Sequence, residues 1–142
     1  MKFILFIISF QIAFGLKCDK YMDYQVDGQR YSSNNPFSVT ERCQACGFYE
    51  SNEDNGKTFK GVYIGCLDTA TLYARSYGSQ DLNVTEFQET CNKNLESNTA
   101  FCSGATIVYN EGKVFTTQIC CCNKDYCSRG YANKLRDNFV EY

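Results

Sequence analysis

Three consecutive cysteines, Cys120, Cys121 and Cys122, stand in the stretch QICCCNKDYCSRG, with Cys127 close behind. A metal cage, a dithiol redox centre, a catalytic loop and a disulfide knot are the ways a small domain uses such a run, and each needs different neighbours. All ten cysteines (Cys18, Cys43, Cys46, Cys66, Cys91, Cys102, Cys120, Cys121, Cys122 and Cys127) follow the N-terminal stretch MKFILFIISFQIAFG. That stretch has the three-part design of a secretory signal: basic Lys2, an apolar run, then small residues at Ala13 and Gly15. Ser9 and Gln11 break the run, which falls short of the roughly 20 residues a membrane span needs. Residues 1–15 therefore read as a signal peptide, with the mature chain starting at Leu16. The export route is oxidising, and an even cysteine count there implies disulfides.

The other uses of the cluster lack their partners. The chain has no histidine, whereas a structural zinc site wants two short-spaced cysteine pairs, often with histidine. Cys43-Gln-Ala-Cys46 has dithiol-catalyst spacing, but it enters a strand-like segment with Arg42 as the one cation nearby, and a redox thiol needs a lowered pKa. The run CCNKDYC resembles the active-site helix of secreted phospholipases, yet Lys124 stands where that site needs its histidine base. Without histidine, the usual base for a serine or cysteine nucleophile is also missing. The expectation is a non-enzyme with no cofactor and no metal. A net charge of −2 without a basic run speaks against nucleic acid or anionic membrane as partner. The polar end NKLRDNFVEY lacks the apolar tail of a lipid-anchor signal, so residues 129–142 read as a polar tail and the protein as released, with no membrane anchor.

What remains is a disulfide-rich β domain over residues 16–128. Lys57 to Leu67, rich in aromatic and β-branched residues, reads as a strand. Asn55-Gly56 is a hairpin turn pair, and CQACGFYE supplies the partner strand, so Cys43 to Leu67 forms one hairpin. Thr106–Tyr109 and Val114–Cys122 form another around Asn110–Lys113. A weaker hairpin runs from Lys17 through Val26-Asp27-Gly28 toward Cys43. Between the last two hairpins, Thr85 with following acids starts a short helix, and Phe87, Cys91 and Leu95 share its face. On a strand, neighbouring side chains point to opposite faces. Cys120 and Cys122 then face one side and Cys121 the other, so the three thiols reach different partners.

CCNKDYCS, Cys121 to Ser128, resembles the closing signature of three-finger proteins, which include lymphocyte-antigen-6 and urokinase-receptor proteins, snake toxins and activin-type receptor ectodomains. The ten-cysteine order with its triple run is most similar to type II activin receptor ectodomains. That resemblance implies a small all-β three-finger fold, with the short helix inserted between the second and third fingers. Matching the cysteines in order implies Cys18–Cys46, Cys43–Cys66, Cys91–Cys121, Cys102–Cys120 and Cys122–Cys127, with the partners of Cys120 and Cys121 open to exchange. Ser128 stands where the family has an asparagine that ties the domain ends, which implies a weaker tie. Cys66 to Cys91 is longer than in the receptors.

The resemblance implies a secreted module that binds an extracellular protein, a receptor or its ligand. A soluble trap for a growth-factor-type ligand, a toxin-like channel ligand and a secreted hydrolase are the alternatives. Phe59, Tyr63, Ile107, Tyr109 and Phe115 are candidate contact residues, because aromatic side chains give large contact area at low entropy cost. The competing reading is that half or more of them cover a thin core. Asn83-Val84-Thr85 is a glycosylation sequon; alternatively Asn83 or Thr85 simply caps the helix.

Overall fold

Asp27 and Gly28 both adopt positive φ, 50° and 80°, the backbone of the two-residue turn that matches strand twist. No atom lies within 4 Å of where a Cβ on Gly28 would sit, so dihedral angle and not space selects glycine there. The turn pairs β1 (Leu16–Val26) with β2 (Gln29–Ser32), closing on Val26 opposite Gln29. The computed structural model describes residues 15–33, 38–52, 59–77, 82–93, 101–108 and 114–130. Residues 1–14 of the expected signal peptide, the Asn55-Gly56 turn, Leu95 of the expected helix face, the Asn110–Lys113 turn and the tail beyond Gly130 lie outside them.

β1 is long enough to serve two partners. Its first half pairs antiparallel with β3 (Ser38–Cys43), and its second half with β2 and β5 (Lys60–Cys66). β4 (Cys46–Asn52) pairs with β5 along its whole length, from Cys46 opposite Cys66 to Asn52 opposite Lys60. β6 (Phe101–Val108) and β7 (Val114–Cys122) form the last hairpin, and β7 pairs with β4. The strands run β2-β1-β5-β4-β7-β6 in one antiparallel sheet, with β3 joined to β1 off that path.

The expected strand to Leu67 ends one residue early. Leu67 opens helix α1 (Leu67–Tyr77), and its N–H donates to the Ala45 carbonyl at 2.9 Å. Where one short helix was expected between Asp68 and Lys93, two are present: α1 and α2 (Val84–Lys93). α1 buries Leu67, Ala70, Thr71 and Ala74, the i, i+3, i+4, i+7 stripe of an amphipathic helix. Its small residues allow close approach to the sheet. A Cβ on Gly47 of β4 would meet the Leu67 Cα at 2.6 Å, so glycine is what lets the helix lie there. The mostly antiparallel β fold therefore carries two short helices where one insertion was expected.

Five disulfides cross-link this frame: Cys18–Cys46, Cys43–Cys66, Cys91–Cys121, Cys102–Cys120 and Cys122–Cys127. These are the pairs the family resemblance implies, with Cys121 holding α2 and Cys120 holding β6. The alternation of the triple run is visible in its surroundings. Cys121 packs under the helices, Cys120 on the opposite sheet face, and Cys122 at the cysteine-rich end.

Candidate interaction surface

Alternation along the strands sends Tyr24, Tyr49, Tyr63, Ile119 and Cys121 to the helix-covered face. There they meet Phe59 from the approach to β5, Leu67, Ala70 and Ala74 of α1, and Phe87 and Cys91 of α2. The opposite face carries Phe48, Val62, Ile64 and Cys120, with Tyr21 and Cys102 against them. Tyr21, Ile64, Phe48, Cys120 and Cys102 stand in one row across the sheet.

An aromatic chain leads out of the first core. Tyr49 lies 4.9 Å from Phe59 between ring centroids, Phe59 4.6 Å from Tyr24, and Tyr24 5.2 Å from Tyr31. Tyr31 stands opposite Tyr24 on β2 and is 41% exposed. Tyr73 and Tyr77 of α1, both half-buried, flank the chain, with Tyr73 5.3 Å from Phe59 and from Tyr24. Each such ring pair adds about 0.5–1.5 kcal/mol beyond area burial. The Tyr24 and Tyr73 hydroxyls share a hydrogen bond of 2.8 Å. Burial first, then that bond, pushes the Tyr24 phenol well above its ordinary pKa, so it stays neutral.

The rim of this chain is a surface. All four residues of β2 are exposed, and β2 ends the sheet order. Arg30, next to Tyr31, donates from Nε and from its terminal nitrogen to the two Asp23 carboxylate oxygens at 3.1 and 3.2 Å. The fork fixes the guanidinium in place, while its exposure keeps the pair's contribution to stability small. Arg30 shares the Asp23 face of the sheet and Tyr31 the Tyr24 face, so the guanidinium and the ring border the edge strand from opposite sides; tyrosine and arginine are both enriched at interface hot spots.

The proposed contact residues are distributed differently. Phe59 is fully buried and Tyr63 is 4% exposed, so both are core residues and not contacts. Strand periodicity shows that Tyr63 faces one side, but not that helices cover that side. Ile107 and Phe115 stand opposite one another in β6 and β7, and their side chains, like Tyr109, lie outside the described residues. Asn83 is exposed and caps α2: its Oδ1 accepts the Glu86 N–H at 3.1 Å, and its Nδ2 donates to Glu86 Oε2 at 3.2 Å. The first bond is an asparagine N-cap, and the second ties the Glu86 carboxylate to the cap's own side-chain amide. Tyr31 and its flanking tyrosines were missed. The Asp27-Gly28 turn carried the signal, since a two-residue turn there places Tyr31 opposite Tyr24.

The two ends of the domain are tied at the cysteine-rich end. Asp125 Oδ1 accepts the Lys17 N–H at 2.9 Å, and the Tyr126 N–H donates to the Lys17 carbonyl at 2.7 Å. Arg129 donates to both oxygens of the buried Asp19 at 3.2 Å and lies over the Tyr126 ring. Ser128 is buried, and its Oγ has no partner among the described residues. The tie that the resemblance assigned to position 128 is thus made by its neighbours. Among the described residues no group of three or more histidine, cysteine or carboxylate side chains is placed to hold a metal. Among the same residues no helix is long and apolar enough to cross a membrane.

No protein-family model matches the chain, and no curated protein or solved structure matches it.

Proposed function

We propose that this chain is an exported, non-enzymatic module of the three-finger type that binds an extracellular protein through the β2 edge and the tyrosine rim beside it. The observation that supports this reading most is the division of labour along the hairpins. Three disulfides pack together at one end, and the first hairpin leads away from them to a strand with every side chain exposed. A frame held by covalent bonds loses little entropy when it binds, which favours affinity. Tyr31, with its back to Tyr24 and its front to solvent, is positioned as the anchor, and Arg30 stands on the opposite face of the same edge strand. The ten-cysteine order and the three antiparallel hairpins support the three-finger assignment, and the N-terminal signal supports export.

The test uses chain purified from medium with its disulfides intact. It is presented to an array of cell-surface receptor ectodomains and growth-factor-type ligands. The expected result is saturable binding to one class of target, weakened at least about tenfold by Tyr31→Ala, the effect of a hot spot. Binding that survives Tyr31→Ala and Arg30→Ala unchanged overturns the assigned surface. Reproducible turnover of phospholipid or ester substrates by the purified chain overturns the non-enzymatic reading.

A further inference from the structure

We propose that Asn83 carries an N-linked glycan and, so modified, still caps α2; this rests on the export reading above. Asn83-Val84-Thr85 has the acceptor pattern. Its three residues divide in the way an acceptor needs. Val84 is buried, and Asn83 and Thr85 are exposed. The middle residue anchors the segment while the two that the transferring enzyme reads face solvent.

The hydrogen bonds leave room for the sugar. Asn83 Nδ2 has two hydrogens, and Glu86 Oε2 engages one of them at 3.2 Å. Transfer replaces the other. The Asn83 nitrogen bonds to the anomeric carbon of an oligosaccharide. That carbon's bond to its lipid-pyrophosphate carrier breaks, the carrier leaves as the pyrophosphate, and a base of the transferring enzyme takes the amide proton. The product is a secondary amide. It keeps one N–H for Glu86 and keeps Oδ1, which accepts the Glu86 N–H at 3.1 Å. The Asn83 carbonyl also retains the Phe87 N–H at 3.0 Å. Cap and glycan therefore use different atoms of one side chain.

The full chain is expressed in a secretory animal cell line and purified from the medium. An amidase that removes N-glycans is applied in heavy-oxygen water, and peptide mass spectrometry reads position 83. The wild type and Thr85→Ser are expected to show conversion of Asn83 to heavy-labelled aspartate and a mobility shift. Asn83→Asp and Thr85→Ala, which keep the cap oxygen, are expected to show neither. Amide exchange at Glu86 in the glycosylated wild type is expected to match that of Thr85→Ala. Export with an unmodified Asn83 overturns the glycan while sparing the export reading. Retention of the chain inside the cell overturns both. Glu86 exchange faster by about fivefold or more in the glycosylated form, the worth of a lost N-cap, overturns the capping half. Glycosylated chain that binds nothing in the array leaves this inference standing and removes only the binding proposal.

Discussion

The two ends of this molecule are held by different physics. At one end Cys18, Cys43, Cys46 and Cys122 pack with Leu16, Cys66 and Cys127. Three covalent bridges there meet almost side by side, with Cys46 flanked in register by Cys66 and Cys122 while bonded to Cys18. Under the helices one bridge, Cys91–Cys121, holds α2, and the rest of the cohesion comes from Tyr24, Tyr49, Phe59 and Tyr63 against the small stripe of α1. A bridge acts mainly by removing freedom from the unfolded chain. Ring packing acts in the folded state, through area removed from water and dispersion contacts. The first kind of core is insensitive to what covers it. The second exists only once α1 has been laid down, and its outer margin is the tyrosine rim.

The largest effect is expected at Phe59, whose ring meets Tyr24, Tyr49, Tyr73 and Tyr77. Phe59→Ala is expected to cost about 3–5 kcal/mol in denaturant unfolding while leaving the disulfide map unchanged. A cost below about 1 kcal/mol would mean the aromatic layer is not a core. Removing Cys18 and Cys46 together opens a loop with a sequence separation of 28 and is expected to cost about 2–4 kcal/mol. Its mark should be export yield and global stability, with the aromatic near-ultraviolet signal of the surviving folded fraction preserved. Gly47→Ala tests the seat of α1 alone: overpacking against Leu67 and Ala70 is expected to cost about 1–3 kcal/mol.

Smaller effects separate surface from core. Tyr31→Ala loses one ring stack, so its expected stability cost is about 0.5–1.5 kcal/mol, although it removes the proposed anchor. Glu50, on β4 opposite Val62 and Gln118, has its carboxyl pKa raised by desolvation. A raised carboxyl means the folded state favours the protonated form. Glu50 is therefore least unfavourable at low pH, and stability falls as pH rises through the folded value. Glu50→Gln is expected to raise the melting temperature slightly at pH 7 and to make no difference below about pH 4, where both states are protonated. A gain of the same size at both pH values contradicts the desolvation account.

The same contrast explains what could be read from the chain. Cysteine order, the Asp27-Gly28 turn and the alternation of Cys120, Cys121 and Cys122 are local signals, and they outlined the hairpins and the disulfide-rich β character. The aromatic layer was legible only in part. The sequence leaves Tyr63 and Phe59 open between contact and core, because a strand pattern cannot say which sheet face a distant helix covers. α1 was missed because its buried stripe uses Ala70, Thr71 and Ala74, and it follows Cys66 with no loop to announce it. Asp19 and Arg129 gave no signal, since their pairing joins positions 110 residues apart. Tyr31 was within reach. Counting outward from the turn puts it beside Tyr24, but only the covered Tyr24 turns that pairing into a supported ring with one exposed face.

The triple-cysteine strand bolts three separate segments together: β6, α2 and the stretch that ends in Cys127. Non-reducing peptide mapping of the purified chain, with fragmentation between Cys120, Cys121 and Cys122, tests this directly. The predicted result is Cys102 on Cys120, Cys91 on Cys121 and Cys127 on Cys122, with Cys18–Cys46 and Cys43–Cys66 beside them. A bridge between Cys43 and Cys46, or a free thiol within the run, would contradict it.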